Sequence, residues 1–381
     1  MSHRISSGTP ASAPIPALDR TALVALAGQF DLGASASDCA PVRFDPVGIG
    51  HINQSVIVTT AGSGRFFLQR INQTVFPSVA ALMENLERVT DHLQGKGRAS
   101  LEIVPARTGE RFIRDAEAGE CWRVFRFVEG STCITGPSSP GQAQQAAEAF
   151  GQFAGSLADL PAPRLHTIIP DFHNTPKRLA DFLTAVDRDA AGRAAGARAE
   201  IGCAIAGAGW VGGRGVVGER GGLPLRVAHN DAKLENILFD AQASRAICVV
   251  DLDTVMPGSL LHDFGDLVRS AAATAGEEER DPERVGASRS MFAALARGFI
   301  SACGNIMTDA ERAELPIAGR LLAYEQALRF LTDHLDGDAY YRIGRVGQNL
   351  DRARNQLALA AAFEAEESAF VEICGREFDR G

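Results

Sequence analysis

AHNDAKLENILFD, Ala228 to Asp240, followed by VVDLD, Val249 to Asp253, is the stretch that decides how this chain is read. It presents His229, then Asp231, then Asn236 five positions after the Asp, and then an apolar run that ends in Asp251. Asn236 leads into Ile237-Leu238-Phe239. A polar turn covers 240 to 244, and Ala246 to Val250 is a second apolar run. Two buried strands joined by a tight turn are expected there, and such a hairpin would return Asp251 to the side of Asn236. Asp and Asn are also ordinary turn residues. What carries meaning is the full ordered set placed on a hairpin.

The order and spacing are those of the protein-kinase loop H-R-D-x-x-x-x-N and the metal-holding Asp that follows it. Phosphoryl transfer needs in-line positioning, charge neutralisation and a carboxylate to orient the attacking hydroxyl. In that scheme Asp231 is the base. Asn236 and Asp251 are oxygen ligands for Mg²⁺, a hard cation, and ATP is the donor. Asp253, two residues past Asp251, would face the same side of a strand; it is read either as a second Mg²⁺ ligand or as a cap for the next turn. His229 is expected to orient the loop by packing and hydrogen bonding.

The chain has 381 residues, 45% hydrophobic and 22% charged, with net charge −9. That is ordinary globular composition with room for two lobes. The acidic balance disfavours nucleic acid as a partner. No apolar run approaches the ~18 residues of a membrane span. The seven cysteines are scattered and never form C-x-x-C, so neither a zinc site nor a disulfide framework is indicated, and a reducing cytoplasm fits. A monomer or weak homodimer is expected. Residues 1–17 read as a disordered tail.

Residues 18–129 read as an N-lobe. A short amphipathic helix spans 18 to 32, and a strand runs from Val42 to Val47. Gly48, Gly50, His51 and Asn53 form a turn ahead of the strand Ser55 to Thr60, a pattern whose amides can cover phosphates. The next strand, RFFLQRI (Arg65 to Ile71), holds no Lys. Arg70 is the nearest cation for the role that a third-strand Lys plays in kinases. Val79 to Leu93 has a helical apolar stripe; Glu87 flanks it and is the expected partner of Arg70, with Glu84 in reserve. Strands at 101–104, 111–114 and 121–128 complete the lobe. Backbone groups near Phe127 and Val128 would meet adenine at a hinge.

Residues 130–381 read as a mainly helical C-lobe. Helices are expected at 142–160, 288–304, 311–335 and 342–366. An Ala/Gly/Arg-rich segment reads as a helix broken by a mobile loop near Gly207 to Gly222. An irregular polar stretch, Ile168 to Arg178, precedes another helix.

HNDAKLENILFD with VVDLDTVMPG resembles the aminoglycoside phosphotransferase-like kinases, a family that includes choline and homoserine kinases. Within it the chain is most similar to the N-acetylhexosamine 1-kinases. GHINQSVIV (Gly50 to Val58), FFLQRINQTVF (Phe66 to Phe76), ALMENLERVTDHL (Ala81 to Leu93) and DFHNTPKRL (Asp171 to Leu179) carry that resemblance. LHDFGDLVR (Leu261 to Arg269) and ALRFLTDHLDGD (Ala327 to Asp338) extend it over nearly the whole chain.

The resemblance implies an α+β, bilobal protein-kinase-like fold: a small, mainly antiparallel β N-lobe with one helix, and a larger helical C-lobe. It implies ATP/Mg²⁺-dependent phosphorylation of the anomeric C1 hydroxyl of GlcNAc or GalNAc. Asp231 would be the base, Asn236 and Asp251 the Mg²⁺ ligands and Arg70 the phosphate-anchoring cation. His173, Tyr324 and Arg329 are the expected sugar contacts, with Asp171 and Asp263 as alternatives. The competing reading is a kinase of the same fold acting on another alcohol, such as an aminoglycoside, whose site would be lined with carboxylates.

Overall fold

The computed structural model of the chain describes residues 20–380, apart from 34–37, 39, 48–51, 63, 117–118, 212–213, 216 and 218–221. Two compact units divide between Gly130 and Ser131.

The first unit contains α1 (Arg20–Ala27), β1 (Pro41–Val47), β2 (Gln54–Thr60), β3 (Arg65–Ile71), α2 (Val79–Gly95), β4 (Ile103–Val104), β5 (Ile113–Arg114) and β6 (Cys121–Arg126). The strands form an antiparallel sheet in the order β1-β2-β3-β6-β4, with β5 also paired to β6. Strand side chains alternate between faces, and here the two faces do different work. Val56, Val58, Phe66, Leu68, Trp122 and Val124 point to one side and bury with Leu23, Leu26 and Phe30. Gln69 and Arg123, paired across β3 and β6, point to the other, where the Arg123 guanidinium reaches Met83 of α2 at 3.8 Å. The helix expected over 18 to 32 is shorter, because residues 28 to 30 turn so that Phe30 can bridge to Ala106.

The second unit contains β7 (Ser131–Thr132), α3 (Pro140–Leu157), α4 (Thr175–Arg188), α5 (Arg198–Val211), β8 (Arg226–Ala228), β9 (Ile237–Asp240), β10 (Ala246–Val249), β11 (Met256–Gly258), α6 (Leu260–Ala271), α7 (Arg289–Cys303), α8 (Asp309–Glu314), α9 (Ala318–Leu335), α10 (Gln348–Ala365) and α11 (Glu367–Phe378). Its centre is α9, largely buried and packed against α4, α6 and α10. The single helix expected over 311 to 335 is divided by a tight turn at Leu315–Ile317, which contains Pro316, a residue that cannot donate within a helix. Gly207 does not break α5, which runs on to Val211. A Cβ there would strike the ring of Tyr324, so this glycine lets α5 approach α9 closely.

Two short antiparallel pairs, β8 with β11 and β9 with β10, frame the key loops. Residues 229–236 connect β8 to β9, and residues 250–255 connect β10 to β11. The pairings bring both loops to one place.

Candidate active site

The loop after β8 is gripped through its backbone. Asp263, in the first turn of α6, accepts from the amides of His229 (2.9 Å) and Asn230 (2.7 Å). Burial pushes its carboxyl up; the nearby His229 and these backbone bonds pull it back down. Asn230 adopts φ +62°, a left-handed conformation that Asn tolerates better than most residues. Its side-chain amide donates to the carbonyls of Ala228, Thr254 and Met256, which stitches β8 to β11. A Cβ on Gly258 would land on the Asn230 side-chain oxygen, so the stitch needs glycine at 258.

His229 is wholly buried, edge-on to Phe150 and Phe153. Its Nε2 lies 3.0 Å from the carbonyl of Val250. A carbonyl only accepts, so Nε2 carries the proton, and Nδ1 accepts the Asp231 amide at 3.3 Å.

The Asp231 carboxylate keeps an opening to solvent. Lys233 Nζ lies 2.9 Å from Oδ2, and the Asn236 amide donates to Oδ2 at 2.9 Å and to the Asp231 carbonyl at 2.8 Å. Burial alone would raise this carboxyl; the charge and hydrogen bond of Lys233, then His229 and Asn236, lower it to about 2. Lys233 is drawn upward in turn, because the charges of Asp231, Asp251 and Asp266 outweigh its own burial. Sequence reading did not single out Lys233, although its place two residues after the Asp is visible there.

Asn236 spends its amide nitrogen on Asp231, which leaves its Oδ1 without a protein donor among the described residues. Asp251 takes φ +58° and is exposed. Protein crowding, followed by the like charges of Asp253 and Asp231, pushes its carboxyl up to about 6. An open amide oxygen and a carboxylate under like-charge strain are hard-oxygen donors of the kind that suits Mg²⁺. Asp253 does not continue a strand: it lies buried in the tight turn Leu252–Thr254.

The expected sugar contacts separate. Tyr324 is buried and donates its hydroxyl to the carbonyl of Ala204 at 2.6 Å, so it serves the α5–α9 contact. Both ring nitrogens of His173 are taken, by Glu325 (2.8 Å) and the carbonyl of Asn230 (2.8 Å). The hydroxyl proton of Tyr324 and both ring nitrogens of His173 are thus committed within the protein. Arg329 differs. It is half-buried, within cation–π range of Phe172, Tyr340 and Tyr341, and it donates to the Tyr340 hydroxyl at 3.3 Å. Asp333 accepts from the amides of Tyr340 and Tyr341 and fixes the loop that carries them. Of the alternatives, Asp263 is the backbone clamp described above, and Asp171 accepts from the Asn174 side chain.

In the β unit, the expected ion pair between Arg70 and Glu87 is not formed. Arg70 pairs with Glu120, and Glu87 pairs with Arg111 at 2.7 Å. The alternation of β3 gives the reason. Arg70 shares a face with Phe66 and Leu68, opposite the face that meets α2. The reserve Glu84 pairs with Arg88. Asn53 accepts the Asn72 amide at 2.9 Å. The Phe127 amide donates to the carbonyl of Arg65, and the Phe127 ring lies under the Arg65 guanidinium. Val128 is half-buried. Gly48, Gly50 and His51 lie outside the described residues.

Comparison with known proteins agrees with this architecture. The phosphotransferase enzyme family (APH) matches residues 43–297, more than half of the chain. Among solved structures, an aminoglycoside phosphotransferase from Alicyclobacillus acidocaldarius is 14% identical, with a TM-score of 0.56 and coverage of 94% of this chain and 96% of that one. Choline kinase from Cryptosporidium parvum is 13% identical, with a TM-score of 0.55 and coverage of 94% and 100%. An amicoumacin kinase in complex with AMP-PNP and Ca²⁺ is 12% identical, with a TM-score of 0.55 and coverage of 95% and 94%. At such identities the likeness is one of fold, the α+β kinase-like arrangement of an antiparallel β region and a helical region. By the match along its sequence, the chain belongs to the phosphotransferase enzyme family, whose members act on hydroxyl acceptors.

Proposed function

We propose that the chain transfers the γ-phosphoryl group of ATP to the anomeric C1 hydroxyl of an N-acetylhexosamine. The observation that carries the reading is the Asp231 carboxylate, oriented by Lys233 and Asn236 next to the oxygen donors Asn236 and Asp251. Asp231 orients the acceptor hydroxyl and takes its proton late, as a loose transition state allows. Mg²⁺, held by Asn236 and Asp251, would supply charge neutralisation for the transferred group. The AMP-PNP and Ca²⁺ bound to the amicoumacin kinase support a nucleotide and a divalent cation here.

One feature favours a sugar acceptor. Arg329 among three aromatic rings offers flat apolar faces and guanidinium donors, groups that suit a neutral ring with an amide oxygen. A cationic aminoglycoside would call for carboxylates instead. In the β unit, Asn53 and the backbone at Phe127 and Val128 are proposed to face the nucleotide.

A panel of N-acetylhexosamines, other sugars, aminoglycosides and amino alcohols, incubated with ATP and Mg²⁺ and followed by ³¹P NMR, tests this. The expected product is a hexosamine 1-phosphate. Phosphorylation at C6, or turnover of the cationic acceptors alone, overturns the acceptor assignment.

A further inference from the structure

The peptide bond between Asn230 and Asp231 carries the proposed base, and its two ends are held by two different imidazoles. Its N–H, on Asp231, is accepted by Nδ1 of His229 at 3.3 Å. Its C=O, on Asn230, meets Nε2 of His173 at 2.8 Å. The other polar groups of Asn230 point elsewhere: its own amide to Asp263 and its side-chain nitrogen to three carbonyls. The plane of this peptide, and with it the direction of the Asp231 side chain, depends on the two rings.

We propose that His173 is a positioning residue which, doubly protonated between the Asn230 carbonyl and Glu325, holds the Asp231 peptide in its reactive orientation. The protonation follows from the partners. The Asn230 carbonyl can only accept, so Nε2 bears a proton. Glu325 is buried, accepts the Thr175 hydroxyl on Oε2 at 2.6 Å, and faces Nδ1 with Oε1 at 2.8 Å. His173 and the Thr175 hydroxyl hold the Glu325 carboxyl at about 2 against its burial; ionised, it only accepts, so Nδ1 bears a proton too. Burial works against a charged His173, but the charge of Glu325, then its hydrogen bond, the Asn230 carbonyl and Asp266 raise its pKa. The neighbouring ring of His262, 4.9 Å away, stays neutral: burial and the charge of His173 lower it to about 3. His173 thereby links α4, through Thr175 at its start, and α9, through Glu325, to the loop that bears the base.

This inference rests on Asp231 being the base, and the test separates the two. Steady-state kinetics of His173→Ala, of the double variant His173→Gln with Glu325→Gln, and of Asp231→Asn are measured with ATP and the best acceptor. An amide at 173 can still donate to the Asn230 carbonyl, and a neutral Glu325→Gln no longer needs a cation. The expectation is that His173→Ala lowers kcat by at least ~10-fold, the scale of a misplaced catalytic group, with both KM values little changed. The double variant should recover most of the loss. Nitrogen-15 NMR of the wild-type chain should show both His173 nitrogens protonated at pH 7. This readout needs no variant to fold and no turnover. A neutral ring, a double variant no better than His173→Ala, or a raised acceptor KM at unchanged kcat each overturn the proposal; the last would make His173 a substrate contact. Normal turnover by Asp231→Asn would overturn the base assignment, while the nitrogen-15 signature would still report whether His173 is a cation.

Discussion

His229 Nε2 donates to the carbonyl of Val250, the residue before Asp251, at 3.0 Å. One buried ring therefore couples the loop that carries Asp231 to the loop that carries Asp251. Truncating it should disturb both at once. His229→Ala is expected to lower kcat by at least ~10-fold, as a small displacement of reacting groups does, and to weaken the Mg²⁺ dependence in the same variant. A kcat loss with an unchanged Mg²⁺ titration would show that the ring serves only the Asp231 side.

Asp231→Asn keeps the side-chain shape and an oxygen for Asn236 while removing the proposed base. Nucleotide affinity, followed by calorimetry, should stay near wild type, and kcat should fall by ~10²-fold or more, the scale of general base catalysis. Undiminished turnover would rule Asp231 out as the base.

Lys233→Met removes the cation that most strongly depresses the Asp231 carboxyl. The Asp231 pKa must then rise toward the ordinary carboxylate range. The acidic limb of the kcat/KM profile is expected to move to higher pH. A limb that stays in place while kcat falls would assign Lys233 to the phosphates alone.

Gly258→Ala drives a methyl group into the Asn230 side chain. Overpacking of this kind costs about 1–3 kcal/mol, and here the strain falls on the residue next to Asp231. A lowered Tm together with reduced kcat is expected. An unchanged Tm and kcat would show that the Asn230 side chain moves aside without cost.

The His173–Glu325 pair makes stability depend on pH from both sides. Glu325, held at about 2 by His173 and Thr175 against its burial, contributes stability above its unfolded pKa of about 4.3 that is lost as pH falls toward 2. His173, whose pKa is raised, contributes stability below its unfolded pKa of about 6.5 that is lost as pH rises through the folded value. The pair is strongest in between. Thermal melts of wild type should weaken toward alkaline pH more than those of the double variant His173→Gln with Glu325→Gln. Parallel curves would mean that His173 does not titrate as argued.

The neighbourhood of Asp231, Asn236 and Asp251 is legible in the sequence because chemistry and topology agree there. The spacing is that of the kinase loop, and the apolar runs show the hairpin that returns one loop to the other. Asp263 and His173 are not legible as loop supports, because they act on main-chain atoms that every residue has. Tyr324 reads as a polar group in a helical context, and only the approach of α5 at Gly207 shows where its hydroxyl goes. The pairing of Arg70 with Glu87 fails for a simpler reason. Composition shows that a cation is present on β3, but a shift of one position moves it to the other face of the sheet. The double tyrosine at 340 and 341 is visible, but its meeting with Arg329 depends on the bend that Asp333 imposes.

The two faces of β3 also bear on why this strand has no lysine. Gln69 occupies the face toward α2, and its side-chain oxygen accepts from the guanidinium of Arg123 at 2.9 Å. Arg123 is only 1% exposed. The positive charge beneath α2 thus comes from β6, one strand over, and position 69 supplies the acceptor that this charge requires. Introducing lysine at 69 to imitate better-known kinases would remove that acceptor and set a second cation beside the buried Arg123. In this chain the familiar residue would be the damaging one.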